Sequence, residues 1–277
     1  MFTRTTWVRF LLAAMTAVAL LSCATTGPGG KKSLIIIPTG QEVGIGAGMA
    51  EQVETTETVL PDSLWQNYLD GVGQSIVRVC DRQDIDYHFK VIESDQVNAF
   101  AVPGGYVYFY TGLLREMDNE AEMAAVMAHE ISHVVGRHGI KRLQQALGVA
   151  LAYQLVFGGE GAGEAMDAAI GVGMTLVFAG YSRDAEREAD QFGIHYMVGA
   201  GYDPQGAIGM FETLAELGGG DSSNVFESLA RSHPETQERI ANAHAQIAEM
   251  QLPAGLTLNE SRYQQMLRRL PPKKSGG

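Results

Sequence analysis

Cysteine is almost missing from this chain: its 277 residues include two, Cys23 and Cys80. Two thiols exclude a disulfide framework and a cysteine-based metal site. Cationic residues are also scarce. Lys and Arg number 20 against 32 Asp and Glu, for a formal net charge of −12. With no basic patch, nucleic acid is excluded as a partner. Long apolar runs are lacking too. The stretches 10–21 and 144–157 both fall short of the roughly 20 residues that a membrane helix needs. No internal repeat is present. "GIGAG" at 44–48 has no strand before it and is not a dinucleotide fingerprint. The rest is ordinary for a globular protein, with 45% apolar and 19% charged residues. Such a chain buries a core large enough to fold without staples.

The first residues read as an export signal. Arg4 and Arg9 precede the apolar run Phe10 to Leu21 and no acid interrupts it. The run ends at Leu20-Leu21-Ser22-Cys23, which resembles a bacterial lipobox. The expectation is a signal peptide over 1–22, then a lipidated Cys23 and a flexible tether to residue 33. Ala24 in place of Asp resembles the sorting signal of an outer-membrane lipoprotein on the periplasmic side of the envelope. The competing reading is an ordinary signal peptide cut nearby. If Cys23 carries lipid, Cys80 has no partner and is expected to lie buried at a helix end.

The folded part is expected over 34–251, followed by a C-terminal helix and tail over 252–277. Helical spacing marks 41–57 and 62–80, where Leu64, Tyr68, Val72, Ile76 and Val79 recur at threes and fours. The period then changes to two. "DYHFKVIES" reads as a strand, and "NAFAVPGGYVYFYTGLL" as a short strand, a Pro103-Gly104-Gly105 turn and a second strand, Tyr106 to Tyr110. A helix capped by Asp118 or Asn119 follows and runs to Gly136 or beyond. Further helices are expected over 144–157, 182–199, 204–218 and 235–250, with another apolar stretch over 168–180. The Gly-rich 158–165 segment reads as a lid or a surface loop. The fold class is therefore α+β, mainly helical, with a small antiparallel or mixed sheet.

One stretch of that capped helix carries chemistry: "HEISH", 129–133. Histidines four apart project from one helix face and can reach one ion. Glu130 can then take a proton from metal-bound water. The surrounding Ala125, Val126, Ala128, Ile131, Val134 and Val135 make the helix a buried one. Two unpartnered histidines would be costly there. A third histidine at the spacing used by metzincins would fall on Gly139. His138 is one residue short and reads as lining the helix end. A carboxylate from "SRDAEREAD" is the other source. Glu186 and Asp190 share a helix face, so Glu186 can coordinate while Asp190 buttresses a ligand. Glu188 lies on another face and competes for the role.

"NAFAVPGGYVYFYTGLL", "AHEISHVVGRHG", "SRDAEREAD" and "SHPETQERI" occur in the order seen in gluzincin HExxH metallopeptidases. The chain resembles the branch related to CAAX prenyl protease, HtpX and periplasmic BepA, over roughly 40–245. The resemblance implies a zincin-like domain whose small sheet lies beside the HExxH helix, with one Zn²⁺ on His129, His133 and Glu186. It implies Glu130 as general base, Asp190 as support and Asn98 as a substrate contact. It also implies a role for His233, either near the oxyanion or closing on the metal as an inhibitory ligand. Arg239 is positioned to pair with Asp190 or Glu186.

These readings lead to an envelope endopeptidase that cuts misfolded or misassembled polypeptides, bound as a strand beside Tyr106 to Tyr110 and tethered to the membrane by its lipid. The alternative is an envelope chaperone for outer-membrane proteins with latent proteolysis.

Overall fold

The computed structural model describes residues 23–25, 28–30, 32–219, 233 and 237–273. The signal-peptide reading of 1–22 lies outside them. In the segment read as a tether, β1 (Cys23–Thr25) pairs antiparallel with β2 (Lys32–Leu34). Two helices follow, α1 (Thr39–Thr56) and α2 (Ser63–Val77). Asp62 caps α2 by accepting from the N–H groups of Leu64 and Trp65. Cys80 is buried just beyond the end of α2.

A three-stranded sheet comes next: β3 (His88–Ile92), β4 (Ala99–Val102) and β5 (Tyr106–Tyr110). The strand order is β3-β5-β4, with β3 parallel and β4 antiparallel to β5. The sheet is thus mixed. Here the structure corrects one expectation. Tyr106 to Tyr110 form the central strand, bonded on both sides, and offer no edge to a substrate. β3 is tied on its outer side to residues 58–60 through Leu60 N–H on Val91 O and Glu93 N–H on Thr58 O. β4 ends the sheet.

Period-two alternation splits the strands between two cores. Phe89, Val91, Ala99, Ala101, Val107 and Phe109 face the larger core. Ile92, Phe100, Val102, Tyr108 and Tyr110 face the smaller. The larger core holds α2, α4 (Glu120–Val135), α7 (Arg183–Gly199) and α8 (Gln205–Gly219). The smaller holds α1, α5 (His138–Phe157) and α6 (Ala162–Val177). The short α3 (Thr111–Arg115) links β5 to α4, and α9 (Gln237–Glu249) and α10 (Glu260–Leu267) complete the chain. The helix expected in 252–277 is α10, and its Tyr263 is fully buried in the larger core against Trp65.

The Gly-rich 158–165 segment is not a separate lid. It forms one 3₁₀ turn, Gly159–Gly161, and then the first turn of α6. The apolar 144–157 stretch belongs to α5, whose helical backbone is interrupted at Gly148, with φ 71°. Among the described residues no helix is long and apolar enough to cross a membrane.

Candidate metal centre

α4 starts on Asn119, whose side chain accepts from Glu122 N–H at 3.1 Å. The Glu122 carboxylate answers by accepting from Asp118 N–H and from the Asn119 amide. This reciprocal cap, with Glu120 and Glu122 at the positive end, fixes where the helix begins. His129 and His133 then stand one turn apart, their Nε2 atoms separated by 3.0 Å.

α7 packs across α4 and brings the acids. Ser182 caps it through Ala185 N–H. Gly193 meets the His129 backbone, where a Cβ would lie 3.2 Å from His129 N. Glycine permits this close approach. Two turns earlier on the same face is Glu186, which lies over the histidine pair. Its Oε1 is 3.5 Å from His133 Nε2 and its Oε2 is 3.6 Å from His129 Nε2. His233 enters from the segment before α9. Its Nδ1 is 3.2 Å from His129 Nε2 and 3.2 Å from both Glu186 oxygens.

The four residues His129, His133, Glu186 and His233 are buried, and their donor atoms lie within 4.8 Å of one another. A tetrahedral zinc with donors at about 2.0–2.1 Å sets neighbouring donor atoms about 3.3–3.4 Å apart. Five of the six separations here run from 3.0 Å to 3.6 Å, and all lie within 4.8 Å. In spacing and in donor chemistry, this group fits Zn²⁺.

Charge is concentrated and compensated. Burial alone would raise the Glu186 carboxyl, but the His233 charge and hydrogen bonds from His133 and His233 hold it well below its usual range. Burial opposes protonation of His233, yet Glu186 and Glu130 push it up to about 9. Burial holds His133 and His138 below the usual histidine range, so both rings are neutral. Glu130 is buried, with Oε1 3.6 Å from His233 Nε2.

Each α4 histidine is braced from behind. His129 Nδ1 lies 2.9 Å from Asp190 Oδ1. Arg239 grips Asp190 with two N–H groups, at 2.7 and 2.6 Å. Burial would raise Asp190, but His129 and Arg239 hold it at about 2. Arg239 also approaches Glu186, at 3.8 Å. His133 Nδ1 meets His138 Nδ1 at 2.8 Å, and His138 Nε2 reaches Glu188 Oε1 at 3.3 Å. The Tyr181 ring stacks on His133 with centroids 4.0 Å apart.

Of the residues singled out in the sequence, His129, His133, Glu186 and His233 converge, with Glu130 and Asp190 touching the group. Glu188 is turned away from it, toward His138. Asn98 is fully buried ahead of β4, and its carbonyl accepts from Tyr110 N–H. The contacts of His138, Glu188 and Tyr181 with the site were not read from the sequence. A signal for His138 exists: Gly136 ends α4, and Arg137 at φ 51° turns the chain so that α5 starts beside His133.

The family model described as Peptidase family M48 matches residues 63–247, a span that holds every residue of the converging group. The chain belongs to Peptidase family M48. Members of the M48 family are zinc metallopeptidases, which agrees with the donor set. The chain is 30% identical over 285 residues to the beta-barrel assembly-enhancing protease of Escherichia coli (strain K12), covering 97% of this chain and 57% of the relative. It therefore spans a little over half of that relative's length. Metalloprotease YcaL of the same organism is 28% identical over 254 residues, 87% of this chain and 97% of the relative. The mitochondrial metalloendopeptidase OMA1 of Arabidopsis thaliana is 32% identical over 161 residues, 57% of this chain and 31% of the relative.

Proposed function

We propose that this M48 chain is a zinc-dependent endopeptidase of the bacterial cell envelope that acts on misfolded or misassembled proteins. The convergence of His129, His133, Glu186 and His233 with Glu130 alongside carries this reading. The name of the Escherichia coli relative, a protease tied to β-barrel assembly, supports the envelope setting, as do the N-terminal signal and the lipobox-like Cys23.

When bound, Zn²⁺ supplies Lewis-acid polarisation of a carbonyl and an acidified water. Glu130 would take the proton of that water and pass it to the leaving amine. His233 occupies the fourth donor position of the group and must withdraw to admit substrate. An extended substrate segment would add to β4, the end strand of the sheet, rather than to β5, but all four β4 residues are buried, so a covering element has to move first. Asn98, at the head of β4 and fully buried, would contact the substrate backbone only after the same movement.

The test uses the full chain purified in detergent. Wild type is expected to hold about one zinc per chain and to cut casein slowly. His233→Ala should cut faster, because the fourth position is then open. Chelation should stop both and added zinc restore both. Glu186→Ala should lose its zinc. A wild type that takes up no zinc after reconstitution sinks the proposal.

A further inference from the structure

We infer that Glu188 and His138 form a relay that fixes the tautomer and orientation of His133 as a metal ligand. This rests on the zinc reading above. His138 and Glu188 are positioning residues, since neither contributes to the converging donor group.

His133 presents Nε2 to the donor group, 3.0 Å from His129 Nε2. A neutral imidazole that gives its Nε2 lone pair to a metal carries its proton on Nδ1. That proton points at His138 Nδ1, 2.8 Å away. His138 must therefore accept at Nδ1, which leaves its own proton on Nε2. There Glu188 Oε1 waits at 3.3 Å. One assignment satisfies all three groups: His133 Nδ1–H donates to His138, and His138 Nε2–H donates to Glu188. Remove the carboxylate and His138 is free to move its proton to Nδ1. Two N–H groups then face each other, and His133 is pushed off its orientation.

The two ligands of HEISH are thus supported differently. His129 leans on a carboxylate directly, at 2.9 Å from Asp190. His133 reaches its carboxylate through a second imidazole. All three members of the relay are buried, so water does not substitute for a missing partner at no cost.

The test is zinc affinity, read by chelator competition at one pH, with the visible absorption spectrum of the Co²⁺-substituted protein as a second readout. His138→Ala and Glu188→Ala should each weaken zinc binding about 10–100-fold, the usual effect of removing a ligand's hydrogen-bond partner. Each should also shift the Co²⁺ bands. His138→Asn puts a carbonyl oxygen where Nδ1 was, and Glu188→Gln keeps an acceptor for Nε2–H, so both should recover most of the affinity. Because the two residues act in series, the double variant His138→Ala/Glu188→Ala should bind no more weakly than His138→Ala alone. Asp190→Asn combined with His138→Ala should multiply, because the arms are separate. Circular dichroism of the zinc-free variants checks that each one folds.

Affinities within twofold of wild type, or a serial double variant whose loss is the product of the single losses, overturn the relay while leaving the zinc site intact. A wild type that binds no zinc overturns the relay and the proposed function together.

Discussion

Glu130→Gln is expected to keep its zinc and lose casein cleavage by about 10²–10⁴-fold, the range of a positioned general acid–base group. Glutamine has the shape of glutamate and can hold the same place on α4. No Glu130 atom belongs to the converging donor group, so metal content should stay at the wild-type value. What disappears is the ability to take a proton and return it. The comparison is best made on the His233→Ala background, where the basal rate is higher and the fold loss can be measured. There is a second consequence. Glu130 Oε1 lies 3.6 Å from His233 Nε2. Removing its charge loosens one of the contacts that hold His233 over the site. Zinc content and cleavage falling together would mean that Glu130 is structural. Zinc retained and cleavage unchanged would assign the base elsewhere. The chaperone reading is separated by the same variant: cells carrying Glu130→Gln would keep an assembly function that depends on binding alone.

The HEISH helix was legible in the sequence because its signals are local. Asn119, the acids behind it and the apolar spacing lie within one helix, and a spacing of four puts His129 and His133 on one face whatever surrounds them. Helix spacing alone leaves both Glu186 and Glu188 open, and the resemblance to the gluzincin peptidases is what points to Glu186. Two other features depend on which element lies beside which. The strand pattern of Tyr106 to Tyr110 agrees with the structure, but its place at the centre of the sheet depends on β3 pairing parallel to it across the 13 residues between Ile92 and Tyr106 in the fixed order β3-β5-β4. Alternation gives the faces of a strand and not its neighbours. The relay is likewise a tertiary fact. Its own helix shows only that Glu188 faces away from Asp190, and the contact with His138 arises because α5 packs beside it. The Gly-rich segment misled for a different reason. Glycine weakens a helix without forbidding it, and packing against α1 and α5 carries α6 through Gly163, Gly171 and Gly173.

Glu42→Ala is expected to destabilise the zinc-free protein by about 3–5 kcal/mol, the cost of stranding a buried charge. Glu42 lies in α1 and is 1% exposed. Arg82 binds it through two N–H groups, at 2.9 and 2.8 Å, and Arg137 Nε lies 2.7 Å from the same carboxylate. Asp84 is the remaining acid nearby, 3.1 Å from Arg82 Nε, and its side chain is 57% exposed. Without Glu42, two buried guanidinium groups share one solvent-facing carboxylate. A domain has about 5–15 kcal/mol of stability in total, so the loss is a large share. In urea the midpoint should fall by about 1 M or more. The effect also reaches the metal centre. Arg82 donates to Val134 O at 2.9 Å, and Arg137 donates to Ile37 O at 2.7 Å. These bonds secure the end of α4, one residue past His133, and the left-handed Arg137 that sets His138 beside it. Glu42→Ala should therefore weaken zinc binding as well as folding, although Glu42 touches no donor atom. Glu51, exposed on the same helix, supplies the control, since Glu51→Ala should leave both unchanged. If the urea midpoint of Glu42→Ala matched that of Glu51→Ala, the ion cluster would contribute nothing net to stability. The end of α4 would then be held by apolar packing through Val134 and Val135 alone.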